Sequence, residues 1–382
     1  VYQGLTHPRE FRLLLLQPGL FGEPIRCNLV HKMFSTMTPI EYEAISYTWA
    51  DESGDSTPSK TIYLGGCLFS VTPNCEAVLK RVRARGRLRV WIDAVCINQH
   101  DTDERGHQVH LMPDIYSLAE RVLIYPGELS DKEAKNLETL NSLDVSNTAR
   151  VGHFPPSPTG LSPLQKTVLD AVDRVAPSFF KRRYFSRVWI LQEVSLAREA
   201  LVLCDGYEIS LDYFRTSAIY KARSEAPRVL RIEPRKFRQE SDLLELLNDA
   251  RDSKATDSRD KVFGVFGMIQ LASQSFGLVA NYNASVEDTY IEAALNIAET
   301  LSRTDGRGIL KLIVRAMGPR NYPALPAWVP DWSAVPYPEV VQTLPAAPLD
   351  VYHDYPRLQN VIVDKRQREI SFNGAQFCSL EK

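Results

Sequence analysis

Hydrophobic and polar positions change period repeatedly along the first 127 residues, and each change predicts a new element. Two short runs, 61–64 and 67–71, flank Gly65-Gly66, which predicts a β-hairpin. Thr72-Pro73 then gives a capping residue followed by a proline at the first helical position. The apolar residues that follow are spaced as on one face of a helix: Cys75, Val78, Leu79 and Val82.

Short apolar runs predict buried strands at residues 44–49, 89–97 and 121–125. The run at 89–97 is almost continuously apolar, which suits a strand covered on both faces, as in a parallel sheet. Because such strands alternate with helices, we predict an α/β fold with a mostly parallel sheet flanked by helices.

The pattern changes beyond about residue 215. Helical periodicity dominates at 242–250, 260–268 and 286–301, and short strand-like runs follow at 360–372. We therefore predict two regions: an α/β domain over residues 1–215 and a mainly helical C-terminal region over residues 216–382.

Composition narrows the class of protein. The chain has 382 residues, of which 44% are hydrophobic and 24% charged, with a net charge of -2. These values are typical of a globular protein and give no bulk attraction to nucleic acid or to an anionic membrane. Apolar runs such as 13–16 are far too short to span a bilayer. Six scattered cysteines without a CxxC pair argue against a disulfide framework or a zinc site, and we expect a reducing, cytoplasmic location.

One segment combines an indole with a carboxylate at helical spacing. Trp189 and Glu193 lie four residues apart in a segment with the pattern of a helix, so they share one face. Such a pair suits a pocket that holds a flat ring and stabilises a nearby positive charge. The alternative is a surface helix whose tryptophan points inward and whose glutamate is solvated.

Three sequence blocks together resemble the HET (heterokaryon incompatibility) domain family of filamentous fungi. They are YEAISYTW at 42–49, WIDAVCINQ at 91–99 and RVWILQE at 187–193. Residues 259–263 (RDKVF) and 325–332 (LPAWVPDW) are similar to motifs that often follow this domain. The resemblance implies a cell-death effector in non-self recognition between fungal strains.

HET domains in turn resemble TIR domains in the order of their strands and helices, which implies a TIR-like, flavodoxin-like fold. TIR domains that cleave NAD carry a Trp-Cys-x-x-Glu motif whose glutamate is catalytic. Trp189 and Glu193 keep that spacing, and Ile190 stands at the cysteine position. Residues 129–181 would then be an insertion. The implied activity is an NAD glycohydrolase, for which NAD is the substrate and no separate cofactor or metal is needed.

Cleavage of the nicotinamide–ribose bond creates an oxocarbenium-like centre, which a nearby carboxylate stabilises. Glu193 is the predicted catalytic residue. The predicted substrate-binding residues are aromatic rings that stack on a base, polar groups at the carboxyl ends of strands, and one arginine. They are Tyr47, Trp49 and Trp189; Ser46, Asp51, Asp93, Asn98 and Gln99; and Arg187.

Each of these residues also has a structural interpretation. Asp93 can bind backbone amides of the following loop, Asn98 and Gln99 can fix that loop, and Glu193 can pair with Arg187 or Arg105. A nucleophilic Cys96 is disfavoured by its apolar neighbours, and the chain has no Walker loop, GxGxxG or GxSxG motif.

The alternative function is a non-enzymatic signalling module that acts through oligomerisation, with Trp49 and the 50–60 loop at its interface. With either function we expect partners to be further copies of the chain and an activating protein.

Overall fold

The computed structural model describes residues 2–34, 40–138, 160–204, 207–220, 226–231, 243–270, 279–303, 307–335, 359–364 and 368–373. The chain divides into two compact units, Val1–Pro234 and Arg235–Lys382. The boundary predicted near residue 215 falls within a helix of the first unit, Leu211–Tyr220, and the extent of the HET region stays a prediction.

A nine-stranded sheet forms the centre of the described part of the first unit. Its strands are β1 (Glu10–Leu16), β2 (Arg26–Met33), β3 (Glu43–Tyr47), β4 (Lys60–Leu64), β5 (Cys67–Val71), β6 (Arg89–Trp91), β7 (Arg121–Tyr125), β8 (Ala200–Cys204) and β9 (Tyr207–Ser210). Their order across the sheet is β5-β4-β2-β1-β6-β3-β7-β8-β9.

The sheet is mixed, so the prediction of an α/β fold is confirmed but the prediction of a mostly parallel sheet is wrong. Strands β6, β3, β7 and β8 run parallel to one another. The pairs β1–β2, β1–β6, β4–β5 and β8–β9 are antiparallel. Three of these antiparallel pairs join consecutive strands, which a short connection allows, whereas parallel pairing needs a long crossover. The sequence prediction missed β1 and β2, which supply two of these antiparallel pairs.

The four parallel strands follow a doubly wound order. Numbered from β3 along the chain, they lie across the sheet as 2-1-3-4, and the order reverses beside β3. Ligands of doubly wound sheets bind at the carboxyl ends of strands next to such a reversal. The TIR-like assignment of this arrangement stays a proposal.

The first unit contains eight described helices, and the first of them begins at the capping residue that the sequence predicts. They are α1 (Pro73–Ala84), α2 (Asp93–Cys96), α3 (Thr102–Leu118), α4 (Asp131–Leu137), α5 (Pro163–Phe179), α6 (Ile190–Ser195), α7 (Leu211–Tyr220) and α8 (Arg228–Arg231). Thr72 Oγ1 accepts the amide of Cys75 at 3.3 Å, as the sequence predicts. Gly65 and Gly66 have φ values of 60° and 83°, which the tight turn between β4 and β5 requires.

The segment 89–97 corrects a second prediction. Its strand ends at Trp91, and Asp93–Cys96 forms a helical turn instead of continuing the strand. The Asp93 carboxylate accepts the amide of Ala94 at 2.7 Å, which favours a helix start. Val95 and Cys96 are apolar because they face the core, and a short apolar run does not distinguish a strand from a buried helical turn.

Part of the predicted insertion, 129–181, is described. Capping boxes at Ser130 and Ser162 begin α4 and α5. Phe179 at the end of α5 stacks on Phe214 of α7, with ring centroids 5.0 Å apart, so α5 packs within the first unit. Residues 139–159 lie outside the described residues, and the insertion stays a prediction.

The second unit contains helices α9 (Leu243–Asp249), α10 (Asp260–Gln270), α11 (Val286–Ser302) and α12 (Arg307–Ala316), and a two-stranded sheet of β10 (Gln359–Asp364) and β11 (Glu369–Asn373). The buried Lys261 ammonium donates to the carbonyl of Arg251 at 2.8 Å. Trp332 packs edge-on against Tyr290, with centroids 5.3 Å apart. The motifs at 259–263 and 325–332 thus contribute to the core of this unit. Within the described residues, no helix has the length and apolar character that crossing a bilayer requires.

Candidate functional site

Ser46, near the carboxyl end of β3, is the centre of a buried hydrogen-bond network. Its side chain is fully buried, and its Oγ lies 2.6 Å from the Tyr184 hydroxyl and donates to Glu193 Oε2 at 2.5 Å. Tyr184 is held by the 3-10 turn Arg183–Ser186. The network thus joins β3, this turn and helix α6, and it brings together the predicted residues Ser46 and Glu193.

Helix α6 places Glu193 one turn after Trp189. The amide of Glu193 donates to the carbonyl of Trp189 at 3.2 Å, as expected for residues four apart on one face. Trp189 is half-buried, whereas Glu193 is only 2% exposed. The carboxyl group is therefore closed to solvent in this arrangement, with the Ser46 hydroxyl against it.

Burial changes the protonation of this carboxyl group. Burial raises the pKa of Glu193 to about 7, although Arg187 and the hydrogen bond from Ser46 act in the opposite direction. A carboxyl group with such a pKa exchanges its proton near neutral pH, which suits a general acid or base and also occurs in buried structural carboxyl groups.

Arg187 provides the positive charge of the cluster. Its guanidinium donates to the backbone carbonyl of Tyr47 and so anchors the turn before α6 to the end of β3. Burial alone lowers the pKa of Arg187, but the carboxylates of Glu193 and Asp93 outweigh that effect and raise it. The three charges of Arg187, Glu193 and Asp93 are thus coupled.

Asp93 and Trp49 form a second contact at this end of the sheet. The indole Nε1 of Trp49 donates to both carboxylate oxygens of Asp93, at 3.1 and 3.0 Å. Gln99 Nε2 donates to the backbone carbonyl of Asp93 at 2.9 Å. Burial raises the pKa of Asp93, against the effects of Arg187 and Trp49. The structure therefore brings Trp49, Asp93 and Gln99 together, and charge couples them to Glu193.

Three predicted residues have contacts outside this network. Asp51 Oδ1 accepts the amides of Ser53 and Asp55 at 2.9 and 3.0 Å, so this carboxylate shapes its own loop. Asn98 Oδ1 accepts the amide of His100 at 3.3 Å within its own turn. Tyr47 is 2% exposed and lies on the face of β3 opposite Ser46, since side chains alternate along a strand. Its backbone carbonyl contacts the site by accepting from Arg187.

Two contributors were missed by the sequence prediction. Tyr184 contacts Ser46 across 138 residues of sequence, and no spacing pattern links them. Glu104 accepts the amide of Asn98 at 2.8 Å and holds the loop that carries Gln99. Glu104 lies five residues after the second block of the family resemblance, and no spacing pattern in the sequence links it to Asn98. Among the described residues, no group of three or more His, Cys, Asp or Glu side chains has the arrangement of a metal site.

The site is thus an acidic cluster with one arginine, buried at the carboxyl ends of the parallel strands of an α/β domain. The sequence profile of the family described as heterokaryon incompatibility protein (HET) matches residues 42–193, from just before β3 into α6. The match confirms the resemblance to the HET family that the three sequence blocks predict for this region.

A curated relative supports the same family. Heterokaryon incompatibility protein 6, OR allele, of Neurospora crassa is 26% identical to this chain over 400 aligned residues. The alignment covers 85% of this chain and 58% of the relative, so the chain spans little more than half the length of that protein. No solved structure matches the chain.

Proposed function

We propose that this chain acts in heterokaryon incompatibility as a cytoplasmic cell-death effector, and that its HET domain hydrolyses NAD at the nicotinamide–ribose bond. The family and the name of the Neurospora relative support the first part. The carboxyl group of Glu193, buried beside Ser46 at the carboxyl end of β3, is the observation that supports the second.

In this proposal the ionised Glu193 stabilises the ribosyl cation as nicotinamide leaves. The leaving group is a neutral pyridine amide and needs no proton, so a single carboxylate is sufficient. Arg187 keeps part of the Glu193 population ionised at neutral pH. Trp189 and Trp49 supply ring surfaces for nicotinamide or adenine, and Asp93 and Gln99 supply polar groups for ribose hydroxyls.

Substrate has no direct route to Glu193 in this arrangement, because the residue is 2% exposed and Ser46 is fully buried. The proposal therefore includes an opening step, in which self-assembly moves α6 or the 3-10 turn away from β3. In the open form, the Ser46 hydroxyl would lose its hydrogen bond to Glu193 and form one with NAD instead. The single chain is then a closed form with little activity.

A second candidate function is favoured by the same burial. In a non-enzymatic signalling module, Glu193 and Ser46 would only hold α6 on β3, and oligomerisation would carry the signal. A buried, hydrogen-bonded carboxyl group is compatible with that structural role.

Nicotinamide release from NAD separates the two functions, measured for the native chain, Glu193→Gln and Glu43→Gln. Glu43 is a matched control because it is also buried, on the same strand and with a pKa raised to about 7. We expect Glu193→Gln to lower turnover on the order of 10²- to 10³-fold. Glu43→Gln should keep native turnover per folded molecule. Equal turnover by the native chain and Glu193→Gln rules out the enzymatic proposal.

A further inference from the structure

A separate cavity of about 360 Å³ lies against the sheet face formed by β1, β2 and the β4–β5 hairpin. Arg12 pairs with His31 across β1 and β2, and Leu64 pairs with Cys67 across the hairpin. Paired residues of neighbouring strands share a sheet face, so these side chains surround one space. The cavity shares no lining residue with the cluster around Glu193. Its lining is Gln3, Arg12, Asn28, Leu29, His31, Leu64, Gly65 and Cys67.

The N-terminal segment forms one wall of this cavity and is held in place. The Tyr2 hydroxyl donates to the carbonyl of Val95 at 3.0 Å, and the carbonyl of Gln3 accepts from Arg12 at 2.6 Å. The amide of Thr6 donates to Glu10 at 2.5 Å. Because these contacts fix the wall, the cavity is formed before any ligand binds, as in most small-molecule sites.

The charges around the cavity are internally paired. Arg12, fully buried, contacts both oxygens of Glu104, at 2.6 and 2.9 Å. His31 Nδ1 lies 2.7 Å from Glu10 Oε1, which orients the ring and leaves Nε2 without a partner among the described residues. The cavity therefore offers an imidazole nitrogen and the exposed carboxamide of Gln3 above an apolar floor. This combination suits a peptide-like molecule with amide and carboxylate groups.

Cys67 adds a reactive group at the same cavity. Of the cysteines that the structure describes, Cys67 is exposed, whereas Cys27, Cys75, Cys96 and Cys204 are buried. It directly follows the Gly65-Gly66 turn on the edge strand β5, where no other strand of the described sheet covers it. An exposed thiol beside a preformed peptide-sized cavity has the two features that selective thiol modification requires: access and binding.

We propose that this cavity binds a small peptide disulfide and that Cys67 forms a mixed disulfide with it. The thiolate of Cys67 attacks one sulfur of the bound disulfide, the original S–S bond breaks, and a new S–S bond joins Cys67 to one half. The other half leaves as a thiolate and takes up the proton that Cys67 lost. The incoming disulfide is the oxidant, so no further co-reactant is needed.

Glutathione disulfide is the probe, and 2-hydroxyethyl disulfide is the control because it lacks amides and carboxylates. Adduct formation is followed by intact mass and peptide mapping in the 382-residue chain carrying Cys378→Ser, since Cys378 lies outside the described residues. For each disulfide, the rate of adduct formation by the chain is divided by the rate for free N-acetylcysteine, and this ratio corrects for the intrinsic reactivity of the disulfide. We expect this ratio to be about five-fold higher for glutathione disulfide, the effect of a hydrogen bond or two.

Variants distinguish binding in the cavity from simple exposure of the thiol. His31→Ala and Gln3→Ala should bring the two ratios together, whereas Lys32→Ala, an exposed neighbour on β2 outside the cavity lining, should keep the difference. Cys67→Ser should abolish the adduct. Equal ratios in the parent chain, a preference that survives both cavity variants, or an adduct on another cysteine would each overturn the proposal.

Discussion

A buried glutamate lies at each end of strand β3, and the two glutamates differ in their neighbours. Glu43 begins the strand and is 6% exposed, whereas Glu193 lies beside Ser46 near the other end and is 2% exposed. Burial is the largest influence on both, and it raises the pKa of each to about 7. Protonation behaviour alone therefore does not separate a structural carboxyl group from a candidate catalytic one.

The neighbours separate them. Glu43 Oε1 lies 3.0 Å from Arg87 and 3.6 Å from Arg121, and Arg87 also pairs with Glu208 at 2.7 Å. These contacts form an ion-pair network at the amino ends of the parallel strands. Glu193 instead accepts from a hydroxyl at their carboxyl ends, with tryptophans and a second carboxylate close by. The carboxyl end is where α/β sheets bind ligands, so this position favours a functional role for Glu193, although Arg187 also acts on its charge.

Removing Arg87 should have the largest effect on stability. Arg87→Ala leaves Glu43 and Glu208 without their shared cation, and we expect a loss of about 3 kcal/mol in the free energy of unfolding at pH 8. The loss should be smaller at pH 5, where Glu43 is protonated and needs no counter-charge. Denaturant unfolding at both pH values measures it. A loss below about 1 kcal/mol at pH 8 would mean that the network behaves like an exposed ion pair.

Stability should also depend on pH through both carboxyl groups. Each pKa rises from the ordinary value of 4.5 to about 7 on folding, so the folded chain holds protons that the unfolded chain releases between these values. Their stabilising contribution is complete below pH 4.5 and is lost as the pH rises through 7. Glu43→Gln and Glu193→Gln should each make the decline of unfolding free energy across this window shallower. Unchanged slopes in both variants would contradict the assigned pKa shifts.

Ser46→Ala tests how much the hydroxyl beside Glu193 contributes to stability. The substitution leaves the Tyr184 hydroxyl and the Glu193 carboxyl group without their shared partner in a fully buried site. We expect a loss of about 2 kcal/mol in the free energy of unfolding, and a further rise in the pKa of Glu193 because a hydrogen bond to its charged form is lost. Thr48→Ala, a buried hydroxyl loss on the same segment, is the matched control. Equal losses in the two variants would argue against a special role for the Ser46 network.

The smallest effect is expected from Trp49→Phe. It removes the indole N–H that donates to Asp93 but keeps an aromatic ring, and we expect a loss of about 1 kcal/mol in the free energy of unfolding. The loss should be smaller in an Asp93→Asn background, because the acceptor is then neutral. A double-mutant cycle with no coupling between the two substitutions would show that this contact contributes nothing.

Much of the local structure around the site could be predicted from sequence. The Gly65-Gly66 hairpin and the Thr72 cap depend on backbone constraints within a few residues, and both are present. The strand predicted at 89–97 is wrong beyond Trp91. Val95 and Cys96 are apolar because they pack in the core from a helical turn, not because they belong to a strand. Strands β1 and β2 were missed although they pair with each other, and their further pairing with β6 and β4 depends on partners more distant in sequence.

The same limit applies to the site. Trp189 and Glu193 could be paired from helical spacing, and Ser46 and Asp93 could be selected as polar groups near the carboxyl ends of predicted strands. Two contacts form only when distant segments pack together. They are the hydrogen bond between Ser46 and Tyr184, and the hydrogen bond from Arg187 to the backbone carbonyl of Tyr47. Burial of Glu193 has the same origin, since the pattern of its own helix does not distinguish a closed carboxyl group from an open one.

The most direct test of the account is NAD turnover per chain as a function of protein concentration, measured alongside the assembly state. If self-assembly opens the site around Glu193, the monomer should release little nicotinamide, and nicotinamide release per chain should rise as assemblies form. Assemblies that form at high concentration and still release no nicotinamide would contradict it.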